Sequence, residues 1–268
     1  MKKSIKRFAW DLLIRHYGNI EHYSFWEKLH KASLYHMGFG SDCSIGSSGE
    51  EIAFDHLKQN VFGDSPVLFD VGANTGEYTY ALIRHFPDSS IHCFEPLAVS
   101  FDALKKNVTG GNVTFNNIGF SDRSGEAVIY YDDTENRLLR MASLYDRQLD
   151  YFGLSLSKTE TVRLSTVDEY AKSHNISSID LLKLDVEGAE YPVLQGAAGM
   201  IGKSAIKAIQ VEFGGADIDS RTYFRDFWNL LSDRYKVYRI LKDGLYRIEQ
   251  YSESIEIFVF SNYLFIIR

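Results

Sequence analysis

This 268-residue chain has two cysteines, four prolines and no long apolar run, and each scarcity excludes something. Cys43 and Cys93 make neither a disulfide framework nor a metal cluster. Two thiols suit a reducing compartment, so the expected location is cytoplasmic. No apolar run is long enough to span a bilayer, so no transmembrane segment is expected. The start Met1-Lys2-Lys3-Ser4-Ile5-Lys6-Arg7 is soon followed by Asp11 and Arg15, which interrupt any signal-peptide core. A basic amphipathic start leaves room for weak peripheral membrane contact, with a solvated helix end as the plainer reading. A net charge of −7 argues against nucleic acid as a partner. Histidines show no metal-ligand spacing, and neither a G-x-S-x-G elbow nor a P-loop is present. Zinc chemistry and nucleotide hydrolysis therefore have no support.

What is present is ordinary globular composition, 45% hydrophobic and 24% charged. The 17 Tyr and 18 Phe read as core and pocket packing, and secondarily as platforms for rings or sugars. The length fits one large α/β domain with an extension. Residues 1–60 read as a helical N-terminal extension serving as a lid, substrate or dimer element, and 61–268 as the main domain. In the extension Phe8, Trp10, Leu12, Leu13, Tyr17, Tyr23, Phe25, Trp26 and Leu29 recur near helical spacing. Ser48 is placed to cap a helix starting near Glu50.

From Val67 onward strands and helices alternate, which predicts a mostly parallel sheet with helices on both faces. Strands are expected at 67–71, 90–95, 113–116, 160–164, 180–185 and 208–213, with an inserted strand at 125–131. Helices are expected at 77–85, 100–107, 165–174 and 189–196, and one capped by Asp219 or Ser220 running to Arg234. Residues 235–241 and 255–261 are expected to close the sheet as an antiparallel pair. The polar, aperiodic stretch 132–158 reads as a mobile loop.

In such a sheet, ligands bind beyond the carboxyl ends of the strands. The first strand runs Val67-Leu68-Phe69-Asp70-Val71 into Gly72-Ala73-Asn74-Thr75-Gly76 and then into a helix. Its glycines are spaced Gly72-x-x-x-Gly76, not G-x-G-x-x-G. A diphosphate would be repelled by Asp70, whereas a cationic ligand bearing an amino acid, such as S-adenosylmethionine, would not. Asp70 and Asn74 read as contacts to that amino-acid end, with bracing of the loop as the alternative for Asp70. Glu95, about twenty residues on, can accept from ribose hydroxyls or simply stabilise a helix start. Asp122 can accept from an adenine amine, or form a common turn. Lys183 sits inside the apolar run Leu181-Leu182-Lys183-Leu184, on the same strand face as Asp185. A buried lysine needs a partner, and Asp185 or Glu212 is the natural one, for structure or for catalysis. Asp185, Glu187 and Glu212 also offer oxygen ligands for a possible divalent metal such as Mg²⁺ or Ca²⁺, though no spacing is diagnostic.

These stretches resemble the FkbM family of S-adenosylmethionine-dependent methyltransferases. The resemblance is carried by 70–79, Phe94-Glu95-Pro96, 117–122, Ser143-Leu144, 165–168, 180–190 and Gln210-Val211-Glu212, in order over residues 65–215. Lys183-x-Asp185-Val186-Glu187-Gly188 is its more specific mark. The resemblance implies a class I (Rossmann-like) methyltransferase fold with a seven-stranded sheet. It implies O-methylation of a hydroxyl on a sugar, glycan or natural product. By position, Asp70, Gly72, Asn74, Gly76, Tyr78 and Thr79 correspond to methionine-side contacts. Glu95, with Pro96 beside it, corresponds to the ribose acid, and Ser121 with Asp122 to the adenine contact. Asp185, with Lys183 and Glu187, falls where substrate and catalysis meet. Two other classes stay open: a nicotinamide-dependent oxidoreductase, and a non-catalytic glycan-assembly partner that keeps the fold.

Overall fold

A computed structural model describes residues 18–40, 45–132 and 141–268. Part of the expected N-terminal pattern, Phe8 to Tyr17, lies outside the described residues, as does 133–140 of the expected loop. The chain divides into a unit ending at Gly40 and a second from Ser41 to Arg268. In the first, helix α1 (Ile20–His36) buries none of its residues and carries a Lys31–Glu27 pair one turn apart.

The second unit is built on one sheet. Its strands are β1 (Val67–Val71), β2 (Ser90–Phe94), β3 (Asn112–Asn116), β7 (Ile179–Leu184), β8 (Ile206–Phe213), β9 (Tyr235–Leu241), β10 (Gly244–Ile248) and β11 (Ser261–Ile267). Their order is β10-β9-β11-β8-β7-β1-β2-β3, with β3, β2, β1, β7 and β8 parallel. This is the class I methyltransferase arrangement, with eight strands where seven were expected. The extra strand is β10. The two-residue Lys242-Asp243 turn sends the chain straight back along β9, with Gly244 opposite Leu241. The last strand is also later than the expected 255–261. β11 lies between β8 and β9, where both faces must be apolar, and Tyr263-Leu264-Phe265-Ile266 meets that requirement.

Helices cover both faces. On one, α3 (Glu50–Asn60), which follows the single turn α2 (Ile45–Ser48), packs with α4 (Glu77–His85). Phe54, Leu57, Tyr78 and Leu82 there meet Leu68, Leu181, Ala208 and Leu264 of the sheet. Ser48 does not cap α3 as expected. Gly49, in the left-handed region, is the N-cap; the Ser48 hydroxyl donates to the Glu50 carboxylate at 2.7 Å and accepts from the Glu50 N–H at 3.4 Å. The opposite face packs Phe69, Leu182, Leu184, Ile209 and Val211 against α6 (Val167–Ser173), α7 (Glu190–Gln195), α8 (Ala198–Gly202) and α10 (Phe224–Leu231). Helix α5 (Ala98–Asn107) flanks β2 and β3. The helix expected from a cap at Asp219 or Ser220 to Arg234 starts later and ends sooner, as α10, and a short helix, α9 (Ala216–Ser220), precedes it. Arg221, with φ of 59°, turns the chain, and the Tyr223 N–H donates to Asp226 to start α10.

A smaller sheet, β4-β6-β5, forms from β4 (Gly119–Phe120), β5 (Gly125–Tyr131) and β6 (Lys158–Ser165). Its apolar side carries Ile129, Val162 and Leu164. In the main sheet the chain runs outward from β1 to β3 and then returns to pair β7 on the other side of β1. That reversal opens a crevice at the carboxyl ends of β1 and β7.

Candidate active site

A cavity of about 640 Å³ lies at that reversal, within the usual range for small-molecule sites. Its first wall is the turn after β1. Gly72 has φ of 80°, and a side chain there would bring Cβ to 1.8 Å from the Asp185 carbonyl oxygen. Only glycine lets the loops after β1 and β7 touch backbone to backbone. Gly72 and Ala73 N–H groups donate to the Phe94 carbonyl, both at 3.0 Å, tying the turn to β2. Asn74 is left-handed, with φ of 46°.

Glu95 closes this wall. Its carboxylate accepts from the Asn74 N–H at 2.9 Å and from the Leu97 N–H at 2.9 Å, one on each oxygen. Each oxygen keeps a further lone pair. Burial pushes the Glu95 carboxyl up to about 7, and the two N–H bonds only partly offset this.

Behind the wall, three adjacent strands place polar residues in register. Asp70 of β1 lies beside Lys183 of β7, which lies beside Gln210 of β8. Asp70 is fully buried, accepts from the Thr79 hydroxyl at 2.6 Å and pairs with Lys183 Nζ at 3.3 Å. Lys183 also pairs with Asp185 at 3.2 Å and sits 4.7 Å from the Tyr78 ring centroid. Burial alone would lower the Lys183 pKa, but Asp185, then Asp70 and Glu50, raise it well above the usual lysine value. These carboxylates hold the side chain as an ammonium.

Asp185 is the partner of Lys183 that opens outward. Its side chain is 38% exposed, against 6% for Lys183. Beyond it the chain turns through Glu187, left-handed with φ of 51°, and Gly188. Strain of this kind is characteristic of functional loops. Glu187 pairs with the buried Arg147, whose Nε lies 3.5 Å from Asp219. Burial raises Glu187 to about 8 against the pull of Arg147. Glu190 accepts from the Val186 and Gly188 N–H groups and is raised by burial to about 7. Asp217, holding the Gly214 N–H, is raised by burial to about 9. Burial, with Asp185, Glu187 and Glu190 adding to it, also raises Glu212 well above a normal carboxylate. One oxygen each from Asp185, Glu187 and Glu212 lies within 4.8 Å of the others.

The roof is apolar. Ile129 and Leu164 of the smaller sheet join Ala142 and Leu144 over the cavity. Ser143 exchanges two backbone hydrogen bonds with Tyr130, and its hydroxyl donates to the Glu187 carbonyl at 2.6 Å.

Of the residues expected at the site, Gly72, Asn74, Tyr78, Glu95 and Pro96 line the cavity, as do Lys183, Asp185 and Glu187. Others do not. Asp70 and Thr79 bond each other behind the wall, where they brace the turn. Gly76 faces Val108, where a Cβ would come within 2.3 Å of the valine side chain. Ser121 and Asp122 lie off the wall, and Ser121 donates to Asp122 at 3.2 Å. Two participants have no role that the sequence pattern alone assigns. Gln210 is a polar residue inside an apolar strand, the same signal that singled out Lys183. Glu50 lines the cavity from α3 and carries no local signal of its own.

Residues 70–240 match the family described as the methyltransferase FkbM domain. Among curated relatives, Methyltransferase 1 of Beauveria bassiana is 28% identical over 50% of this chain and 59% of its own length. Methyltransferase sdnD of Sordaria araneosa is 30% identical over 55% of this chain and 66% of its own length. The 31-O-demethyl-FK506 methyltransferase FkbM of Streptomyces tacrolimicus is 32% identical over 48% of this chain and 58% of its own length. The chain thus spans about three fifths of the length of the curated relatives it matches. The family match covers more than half of the chain and takes in the β1 turn, Glu95 and the Lys183–Gly188 loop. The protein belongs to the FkbM methyltransferase family.

Proposed function

We propose that the protein is an S-adenosylmethionine-dependent O-methyltransferase acting on a hydroxyl of a sugar, glycan or glycosylated natural product. The observation that carries this reading is the shared wall of one cavity. The glycine turn, the doubly held Glu95 and the outward-facing Asp185 all border it. S-adenosylmethionine fits the residues present. Glu95 keeps lone pairs for ribose hydroxyls, the turn brings backbone close, and the acidic walls favour a ligand carrying positive charge. When bound, it supplies an electrophilic methyl group.

The chain's own residues do the rest. Glu95 and the Gly72–Asn74 backbone hold and orient the donor, and the apolar roof restricts water. Asp185 takes the proton of the acceptor hydroxyl as the new carbon–oxygen bond forms. Lys183, held by Asp70 on its far side, keeps Asp185 aimed and compensated. Holding both reactants in one orientation provides much of the rate. The chemistry of the opening supports the acceptor class. An alkyl hydroxyl is a poor acid and needs a base beside it, and Glu187 and Glu212 line the cavity as polar groups suited to a polyol. One relative is named for methylation at an oxygen. A divalent cation held by Asp185, Glu187 and Glu212 is the competing means of removing the proton.

Calorimetry with S-adenosylhomocysteine and with NAD tests the donor. Methyl-labelled S-adenosylmethionine with a panel of sugars and glycosides tests the acceptor. Binding of NAD alone would restore the oxidoreductase reading. Binding of neither would leave a non-catalytic member of the family.

A further inference from the structure

The reading above draws on residues within the family match, which begins at Asp70. One acidic side chain of the site comes from outside that stretch. Glu50, in the first turn of α3, is 6% exposed and borders the cavity. Its carboxylate accepts from the Ser48 hydroxyl at 2.7 Å and from Gln210 Nε2 at 2.6 Å. Gln210 Oε1 in turn accepts from the Tyr78 hydroxyl at 2.8 Å. The Tyr78 ring lies beneath Lys183 Nζ.

This chain has a direction. Burial raises the Glu50 carboxyl, opposed by Ser48, Lys183 and Gln210; in its ionised form it can only accept, which fixes which end of the Gln210 amide donates. The amide oxygen is then left for Tyr78, and the tyrosine ring is held flat against the ammonium. Glu50 also acts on Lys183 through space. The ammonium is faced by Asp70 from β1, Asp185 from the loop after β7, Glu50 from α3 and the Tyr78 ring from α4. Glu95 and Glu212 feel its charge from further off.

We infer that Glu50 is a positioning residue of the active site: its carboxylate, and the Gln210–Tyr78 hydrogen-bond chain it anchors, hold the Lys183 ammonium and through it Asp185. The inference rests on the proposed methyl-transfer reading for its catalytic meaning, but its physical content concerns Lys183 alone. A helix from before the family match thus completes the site. Burying a carboxylate at this position costs stability, which is why one without a role is not expected here.

The test reads Lys183 directly. In protein labelled with ¹⁵N at lysine side chains, one ammonium signal should be protected from exchange and absent from Lys183→Met. Glu50→Gln keeps the shape and can keep the Gln210 bond, while deleting the charge. It should shift that signal and speed its exchange by about tenfold, the equivalent of one pKa unit. Tyr78→Phe, which deletes only the hydroxyl, should shift the signal by breaking the chain. Leu57→Ala, in the core two turns along the same helix, should lower the melting temperature and leave the signal in place. With an accepted sugar, Glu50→Gln should lower kcat about tenfold and leave the KM for S-adenosylmethionine within about twofold. An unchanged lysine signal in Glu50→Gln, or no protected signal in the wild type, overturns the inference. Failure of the wild type to bind S-adenosylhomocysteine overturns the functional reading instead, and the lysine signal is read without either ligand.

Discussion

Glu95 makes the stability of this protein depend on pH in an unusual direction. Its carboxyl is raised by burial from 4.5 to about 7 in the folded chain. In the unfolded chain it ionises near its ordinary value, so over this interval the folded state binds the proton that the unfolded state has lost. A raised carboxyl gives its full stabilisation below the unfolded pKa and loses it as pH rises through the folded pKa. A difference of about 2.5 units corresponds to about 3 kcal/mol, lost mostly between pH 4.5 and 7. Glu95→Gln mimics the protonated form and cannot titrate. The substitution also loses one acceptor for the Asn74 or Leu97 N–H, but that cost is the same at every pH. The clean quantity is therefore the slope. Urea unfolding at pH 5 and pH 8 should show the wild type losing about 2–3 kcal/mol more than the variant. Glu187, Glu190 and Asp217 are raised in the same sense and remain in both proteins, so both should still slope downward. Equal slopes would refute the argument that Glu95 is desolvated in the free protein. The variant should also bind S-adenosylhomocysteine more weakly, since the ribose acceptor has lost its charge.

Four further outcomes are expected. Gly72→Ala forces a Cβ to 1.8 Å from the Asp185 carbonyl at a φ of 80°; it should cost more than about 3 kcal/mol in urea unfolding or abolish folding. Asp185→Asn should bind S-adenosylhomocysteine normally in calorimetry and lose turnover by about 10²–10⁴-fold, and full activity would remove Asp185 from the mechanism. Arg147→Met strips Glu187 of its cation, so it should destabilise by about 3 kcal/mol at pH 9 and much less at pH 6, where Glu187, raised to about 8, takes up a proton. Chelation by EDTA should leave methyl transfer unchanged; a loss restored by Mg²⁺ would assign proton removal to a cation on Asp185, Glu187 and Glu212.

Much of the fold was legible because central parallel strands are continuous apolar runs, and β1, β2, β7 and β8 fall within two residues of where those runs are. The edges were harder. The hairpin β9–β10 turns at Lys242-Asp243, but Gly244-Leu245-Tyr246-Arg247-Ile248 alternates only weakly between apolar and polar side chains, so its strand pattern is faint. Residues 255–261 and 261–267 are both rich in apolar side chains. Only the tertiary requirement for a strand buried on both faces selects the second. At the site, Lys183 stood out because charge inside such a run must be compensated. Asp70 carried the same message, but sequence cannot tell a residue on the cavity wall from one a layer behind it. Glu50 was not legible at all. Its partner Gln210 is 160 residues away, and nothing in an ordinary helix start announces a contact at that distance.

The bridge between Tyr130 and Ser143 has a practical consequence. At Ser143 the chain is clamped to β5 by two backbone hydrogen bonds and to the loop after β7 by the Ser143 hydroxyl on the Glu187 carbonyl. The roof residues on either side, Ala142 and Leu144, therefore share one fastening with that loop. For an engineer, Ser143 is a position to leave untouched, because a change there acts on the roof and on Glu187 together.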